Sequence, residues 1–264
     1  MKKNWLKKVY VFFSPVLIAL VHLPFVFAKS RPVHELKTAA NKVIAVVSGD
    51  SPVVNTFLPA PSAGLSTMYD SMRLNMMGLS RQAYDYAMKG FNYLVEKGKI
   101  ANSRIISIAD FSLPSYKKRL FVIDLDNNKV LFNTYVAHGS NTGAAYAEHF
   151  SNTPESNQSS PGFYQTEQTY NGKNGYSLHL QGLEAGINDK AYDRAIVMHG
   201  ADYVSENFIQ ARGYIGRSWG CPAVPESMSK PIIDRIKGGT CLFIYTPGAN
   251  YVNRSKILHP AGAY

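Results

Sequence analysis

Short runs of β-branched and aromatic residues recur along the chain after residue 100, and they constrain its fold more than any other sequence feature. The runs cover residues 105–110, 119–124, 129–138, 162–170, 175–182, 195–200 and 241–248. Asp126-Asn127-Asn128 lies between two of them and is typical of a hairpin turn. Strands about 8–12 residues apart, with few long helices between them, predict a mainly β fold, either a β-sandwich or a partly closed barrel.

Helical spacing is found in a few segments, which predict flanking helices. Behind Ser80, a favourable N-cap residue, apolar side chains recur every three or four positions, and Gly98 is typical of a helix end. A second helix is predicted over residues 226–237. A weaker pattern over residues 33–47 predicts a helical N-terminal extension. Residues 48–66 are rich in proline, glycine and serine and indicate a linker.

The amino-terminal segment has the pattern of a secretory signal peptide. Four lysines precede an apolar run from Val9 to Phe27, and Val26 and Ala28 occupy the −3 and −1 positions of a cleavage site. The alternative is an uncleaved signal anchor, since the run is nearly long enough to span a bilayer. Two prolines and a histidine interrupt the run, which favours cleavage.

Composition excludes several classes of protein. A content of 45% hydrophobic and 12% aromatic residues excludes a disordered chain, and two cysteines exclude a disulfide-stapled miniprotein. The net charge is +10, and loss of residues 1–28 leaves 24 basic against 18 acidic residues. The remaining basic residues are scattered, so no nucleic-acid-binding face is expected. Their excess weakly favours an anionic surface such as a cell wall.

His199 and Cys221 are the two residues whose surroundings most suggest catalysis. His199 follows a predicted strand, and Cys221 lies in a glycine-flanked turn, Gly216-Arg217-Ser218-Trp219-Gly220-Cys221-Pro222. Cysteine catalysis needs a thiolate, a base within reach, and backbone N–H groups directed at the developing oxyanion. A histidine and a cysteine next to a turn that can direct several N–H groups fit this requirement.

Each of these residues also has an ordinary structural interpretation. A single cysteine is most often a small buried apolar residue, and a histidine on a strand is most often a core residue with satisfied hydrogen bonds. In an exported protein Cys221 could also form a disulfide with Cys241. The two settings argue against pairing, because Cys241 opens an apolar strand whereas polar and glycine residues surround Cys221.

Residues 196–224 resemble the active-site segment of the murein L,D-transpeptidase catalytic-domain family. The similarity is to the subgroup with His-Gly followed by Gly-Arg-Ser-x-Gly-Cys-Pro-Ala, and further similar segments extend it over about residues 75–247. It implies a mainly β fold, a β-sandwich or partly closed barrel of the L,D-transpeptidase type, with a few flanking helices and a helical N-terminal extension. The implied organisation is a signal peptide (1–28), an N-terminal extension and linker (29–75), an L,D-transpeptidase-like catalytic domain (76–250) and a C-terminal tail (251–264).

The resemblance also implies roles for individual residues. Cys221 would be the nucleophile and His199 the general base, with Ser218 supporting the cysteine turn. The backbone N–H groups of Trp219, Gly220 and Cys221 would form the oxyanion hole. The substrate-binding residues that the resemblance implies are Arg217, Gly200, His138 and Gly162.

This chain departs from the family at the usual carboxylate anchor. Many members place arginine or asparagine two positions after the cysteine, where this chain has Pro222-Ala223. Arg217 is a candidate substitute because a guanidinium suits a carboxylate. His138 is predicted either to line the cleft or to be a strand-end histidine bonded to backbone. The seven histidines show no metal-ligand spacing, so neither a metal nor a cofactor is expected.

The function implied by the resemblance is that of an exported bacterial enzyme of the periplasm or cell wall. It would act on peptidoglycan stem peptides and form 3→3 cross-links through a cysteine thioester. The alternatives are an L,D-carboxypeptidase or endopeptidase that uses the same residues, and a non-catalytic wall-binding module. Neither nucleic acid nor membrane is an expected partner, except for membrane contact through an uncleaved leader.

Overall fold

A computed structural model describes residues 68–260, in which eight strands form a single sheet. The strands are β1 (Ile105–Asp110), β2 (Leu120–Asp124), β3 (Lys129–Thr134), β4 (Gly162–Gly172), β5 (Gly175–Gly182), β6 (Val197–Ala201), β7 (Ala223–Pro225) and β8 (Cys241–Tyr245). The flanking helices are α1 (Arg81–Glu96), α2 (Glu206–Arg212), α3 (Glu226–Ile236) and α4 (Ala249–Arg254). The prediction of a mainly β fold with flanking helices is confirmed.

Several predicted segments lie outside the described residues. These are the signal peptide, the helical extension over 33–47 and the linker over 48–66. Within residues 68–260, no helix combines the length and the apolar character that crossing a bilayer requires.

The sheet is nearly closed, because the segment after edge strand β3 forms backbone hydrogen bonds with the start of edge strand β7 and with the turn before it. In the order β3-β2-β1-β8-β4-β5-β6-β7, the chain after β3 runs across to β7. Ala137 N–H donates to Ala223 O (2.8 Å), Ser218 N–H to His138 O (3.0 Å), and Ser140 N–H to Ser218 O (2.7 Å). We call this pairing of residues 137–140 with residues 218–223 the seam. It confirms the partly closed barrel among the two predicted architectures.

The central strands are buried on both faces, which explains their continuous apolar sequences. Every residue of β1, β2 and β8 is buried. Side chains on one face, such as Ile106 and Phe243, pack with α1 in one apolar cluster. Side chains on the other face, such as Leu242, pack with Ile233 of α3 in a second. Full burial of one such side chain contributes about 1.5–3 kcal/mol to stability.

Helix α1 begins and ends as its sequence predicts. The Ser80 hydroxyl accepts a hydrogen bond from Ala83 N–H (3.0 Å), and the chain turns at Gly98 with a φ of +64°. The apolar residues at helical spacing form its buried face: Ala83, Ala87, Phe91 and Leu94. Ser80 N–H donates to the buried carboxylate of Asp110 (2.9 Å), which fixes the start of the helix against the end of β1.

Some element boundaries differ from those predicted. The run over residues 129–138 forms a strand only to Thr134, because the following residues leave β2 and join the seam. Strand β6 begins at Val197 rather than at Ala195, whose φ of +53° is incompatible with a strand. The elements α2, α4 and β7 are too short for the spacing of their apolar residues to predict them.

The C-terminal segment packs on the barrel through a buried carboxylate. Glu184 is 4% exposed, and its carboxylate accepts hydrogen bonds from Phe163 N–H (2.9 Å), Tyr251 OH (3.0 Å) and Ser255 OH. Burial raises the pKa of Glu184, and the three donors oppose this effect. Leu258 joins the same apolar cluster as α1. Residues 251–258 are therefore part of the packed structure.

Gly90 allows α1 to lie directly on the sheet, and this contact generates a stability prediction. A methyl group on Gly90 would overlap the ring of Phe163, which stacks on Phe243 with centroids 4.2 Å apart. Gly90→Ala is expected to lower the free energy of unfolding by about 1–3 kcal/mol through overpacking. Urea denaturation followed by circular dichroism would measure the change.

The control for this prediction is Lys89→Ala, an exposed position one residue earlier in the same helix. It should change stability by less than about 0.5 kcal/mol. Helix propensity alone would make Gly90→Ala stabilising by about 1 kcal/mol. A more stable Gly90→Ala variant would therefore show that α1 does not pack this closely on Phe163.

Candidate active site

His199 lies on β6, beside the strand that follows the cysteine turn. Strands β6 and β7 pair in parallel with His199 opposite Ala223, two residues after Cys221. The imidazole Nδ1 is 2.8 Å from Gly200 O. Because a carbonyl only accepts, Nδ1 carries the proton and Nε2 keeps its lone pair. Burial lowers the pKa of His199, and the bond to Gly200 O partly offsets this effect.

The thiol of Cys221 is buried rather than exposed in a polar turn. The residue is 9% exposed and belongs to the apolar cluster that includes side chains of α3. Val197 N–H donates to its Sγ (3.5 Å), and Sγ lies 3.8 Å from Ala195 O. Burial raises the pKa of the Cys221 thiol above its ordinary value. Cys221 and Cys241 are both free, so the expectation that they are unpaired is confirmed.

Burial disfavours ionisation of both catalytic candidates. Among the hydrogen bonds of residues 68–260, none joins His199 to Cys221. Burial disfavours the charged form of each residue, so it raises the pKa of the thiol and lowers that of the imidazole. At neutral pH these two directions favour a neutral thiol and a neutral imidazole over a thiolate and an imidazolium.

The hydroxyl of Ser218 braces the turn that carries Cys221. It donates to Cys221 O (2.6 Å) and accepts from Gly220 N–H (3.1 Å). The backbone of Ser218 also belongs to the seam, through His138 O and Ser140 N–H. One residue therefore fixes the shape of the turn and attaches it to the opposite edge of the barrel.

The turn leaves two of the three expected oxyanion donors without a protein acceptor. Gly220 N–H is engaged by the Ser218 hydroxyl. Within the described part of the chain, the N–H groups of Trp219 and Cys221 form no hydrogen bond. Gly220 has a φ of +119°, and a Cβ there would lie 2.8 Å from Gln158 O. The position therefore requires glycine for both its backbone conformation and its close contact.

The structure corrects the cleft-lining role expected for His138. Its imidazole is fully buried, and Nδ1 accepts from Arg119 Nη2 (2.8 Å) while Nε2 donates to Gly143 O (3.2 Å). Burial, followed by the charge of Arg119, lowers the pKa of His138 to about 3. His138 therefore supports the seam from inside, which agrees with its alternative interpretation as a strand-end histidine bonded to backbone.

Arg119 is a buried structural residue that the sequence analysis missed. Its guanidinium donates to Val136 O (2.9 and 3.1 Å) and Leu113 O (2.9 Å) as well as to His138. Burial lowers its pKa to about 9. The available signal was an arginine directly before an apolar run, at the start of residues 119–124.

Gly162 also has a structural position rather than one at the cleft. It begins β4 opposite Ile244, and a Cβ there would overlap the Glu184 carboxylate and approach Asn188 Nδ2. The residue is buried, and it faces the hydrogen-bond network that holds the C-terminal segment. The observed environment of Gly162 is structural, whereas the resemblance implies a substrate-binding role.

Arg217 and Trp219 are the exposed side chains of the cysteine turn. Arg217 Nη1 donates to Gly143 O (3.0 Å) and Ser140 O (3.3 Å). Trp219 is 76% exposed. Arg217 borders a cleft of about 260 Å³, which is lined by Ser140, Tyr203, Phe208, Arg212, Tyr214, Gly216 and Arg217. Residues 68–260 contain no cluster of three or more His, Cys, Asp or Glu residues that could hold a metal.

Comparison with solved structures finds L,D-transpeptidases, at low identity. An enzyme from Mycobacterium smegmatis aligns over 54% of this chain and 59% of its own, at 11% identity and a TM-score of 0.35. One from Mycobacterium tuberculosis H37Rv aligns over 54% and 58%, at 12% and 0.33. One from Stackebrandtia nassauensis aligns over 72% and 80%, at 18% and 0.33. The chain thus spans less than two thirds of the length of the mycobacterial structures.

The family was identified by sequence. No curated protein gives a significant match. The family model described as the L,D-transpeptidase catalytic domain matches residues 75–245, well over half of the 264-residue chain. That range contains the whole barrel, the seam and the turn with Cys221. The chain therefore belongs to the L,D-transpeptidase catalytic domain family.

Proposed function

We propose that this protein is an exported L,D-transpeptidase that cross-links peptidoglycan, with Cys221 as nucleophile and His199 as general base. The observation that carries the proposal is the pairing of β6 with β7. It sets His199, with Nδ1 fixed by Gly200 O and Nε2 free, beside the turn of Cys221. Membership of a peptidoglycan-modifying family supports the substrate class.

Acylation starts from the neutral pair. Nε2 of His199 accepts the proton of the Cys221 thiol, and the thiolate electron pair attacks the amide carbonyl of the third stem residue. The N–H groups of Trp219 and Cys221 stabilise the resulting oxyanion, a contribution of about 3–4 kcal/mol to lowering the barrier. The C–N bond then breaks, and the terminal D-alanine leaves with the proton held by the imidazolium. A thioester on Cys221 remains.

An amine resolves the thioester. The side-chain amine of a neighbouring stem attacks the carbonyl while His199 takes its proton, and the C–S bond breaks. The sulfur leaves as the thiol with that proton, and a new amide forms the 3→3 cross-link. If water replaces the amine, the same residues produce a carboxypeptidase or endopeptidase. Product analysis separates the two, because transfer gives dimeric muropeptides and hydrolysis gives only shortened monomers.

Arg217 is the proposed anchor for a substrate carboxylate. Its Nη1 is held by Ser140 O and Gly143 O, which leaves the other donors of the guanidinium for a ligand. The side chain is exposed, four residues ahead of Cys221. Gly200 contributes through its carbonyl, which orients the base and does not contact substrate in this scheme.

Export and domain organisation remain proposals that rest on the sequence. We assign residues 1–28 to a signal peptide, 29–75 to an extension and linker, 76–250 to the catalytic domain and 251–264 to a C-terminal tail. The protein would then act in the periplasm or cell wall. A non-catalytic wall-binding module is the alternative, and an unreactive Cys221 would favour it.

The nucleophile is tested with Cys221→Ala. The wild-type protein incubated with a tetrapeptide stem or a carbapenem should gain the mass of one acyl group, and Cys221→Ala should gain none because the attacking sulfur is absent. Intact-mass spectrometry measures the adduct. Cys241→Ala is the matched control and should acylate normally, since Cys241 is fully buried in β8. Turnover that persists in Cys221→Ala would exclude the mechanism.

The proposed role of His199 as general base predicts how activity depends on pH. His199 must be neutral to accept the thiol proton, and burial lowers its pKa below 6.5. Activity should therefore fall as pH decreases through this lowered pKa, so the acid limb should have its midpoint below pH 6.5. The pH dependence of kcat/KM for a tetrapeptide stem reports this pKa in the free enzyme. An acid limb at or above pH 6.5 would contradict the assignment.

The carboxylate anchor is tested with Arg217→Ala. Loss of a charge-assisted hydrogen bond of about 1.5–3 kcal/mol predicts a roughly 10- to 100-fold higher KM for a tetrapeptide stem. Steady-state kinetics with the free acid and with its C-terminal amide provide the measurement, and only the free acid should lose affinity. Arg254→Ala is the control, because Arg254 is an exposed arginine that donates to a single carbonyl, Gly186 O. An unchanged KM in Arg217→Ala would remove Arg217 from the site.

A further inference from the structure

Arg194 lies between the cysteine turn and residues 151–160, and it has no role in the acyl transfer proposed above. Its Nη1 donates to Ser151 O (2.9 Å) and the Ser160 hydroxyl (2.7 Å). Its Nη2 donates to Gln158 O (2.6 Å) and the Ser156 hydroxyl (3.3 Å). The guanidinium therefore holds four points of one segment, and all four acceptors are uncharged.

The same guanidinium lies against the residue that precedes the nucleophile. The position of a Cβ on Gly220 would be 3.3 Å from Arg194 Nη2 and 2.8 Å from Gln158 O. The chain then passes from Arg194 to Ala195, whose carbonyl is 3.8 Å from Cys221 Sγ. Arg194 thus lies close to Cys221 through both its side chain and its backbone neighbour.

Within residues 68–260, no acidic side chain forms an ion pair with this cation. The side chain is partly buried, where a charge is screened less than at the surface. An unpaired cation beside a group that must become an anion stabilises that anion.

We propose that Arg194 is a positioning residue that stabilises the Cys221 thiolate with its charge and holds residues 151–160 against the cysteine turn. The proposal rests on the proposed function, in which Cys221 is the nucleophile. It adds to that function a source of positive charge near Cys221. His199 does not supply this charge, because it is neutral before proton transfer.

Arg194 is the group near the Cys221 thiol that is charged at neutral pH, as the neighbouring titratable groups show. His199 on β6 is neutral at neutral pH because burial lowers its pKa. Tyr203, in the loop after β6, is neutral because burial and then the charge of Cys221 raise its pKa to about 12. Burial is the largest influence on Cys221 and raises its pKa, while Val197 N–H and the charge of Arg194 lower it.

The test is the pH dependence of Cys221 alkylation by iodoacetamide in the full chain. Arg194→Gln keeps an amide donor but removes the charge, so alkylation at pH 7 should slow roughly tenfold, which corresponds to one pKa unit. Arg194→Lys keeps the charge and should stay close to wild type. Arg254→Gln is the matched control and should not differ. The Cys221→Ala variant gives the background rate.

Two results would overturn the proposal. One is a folded Arg194→Gln protein, judged by circular dichroism and thermal melting, with an unchanged alkylation profile. The other is Arg194→Lys losing as much reactivity as Arg194→Gln, which would reduce Arg194 to a loop anchor. If Arg194→Gln does not fold, the comparison of Arg194→Lys with wild type decides. Alkylation needs no stem peptide, so failure of acyl transfer would reject the proposed function without affecting this measurement.

Discussion

The backbone hydrogen bonds of the seam hold the two edges of the sheet together and fix the turn that carries Cys221. Ser218 takes part in both tasks, because its backbone pairs with residues 138 and 140 while its hydroxyl braces the turn. A loop so attached cannot relax independently of the barrel. Preorganised N–H groups stabilise charge best when they need no rearrangement during the reaction. The closure of the fold thus provides the rigidity that the proposed chemistry requires.

The seam itself depends on a buried cation. Arg119 binds Val136 O and Leu113 O and shares a hydrogen bond with His138, whose carbonyl accepts from Ser218. Burying a guanidinium without an ion pair is costly, as the lowered pKa of Arg119 reflects. Arg119, which is distant from Cys221 in the sequence, therefore supports the turn of Cys221 through two intermediate residues, His138 and Ser218.

The elements with a regular spacing of apolar residues could be predicted from the sequence. The buried strands and α1 with its Ser80 cap follow from spacing and residue type. The residues around His199 and Cys221 suggested catalysis, and the resemblance then implied a role for each. The seam could not be predicted, because it joins residues about 80 positions apart through backbone atoms that carry no sequence signal. Burial of His138 and the environment of Gly162 depend on side chains from distant segments, Arg119 and Glu184. Arg194 was missed because a guanidinium that binds carbonyls leaves no charge pattern in the sequence.

The two cysteine thiols of this protein are both buried, but only Cys241 is completely so. Cys241 is fully buried at the start of β8, in the apolar cluster that includes α1, and burial raises its pKa far above the ordinary value. Thiol reagents attack the thiolate, so Cys241 is shielded for as long as β8 stays within the sheet. Modification of Cys241 by a thiol reagent would therefore require β8 to leave the sheet. The rate of that modification would report unfolding of the barrel, separately from the reactivity of Cys221.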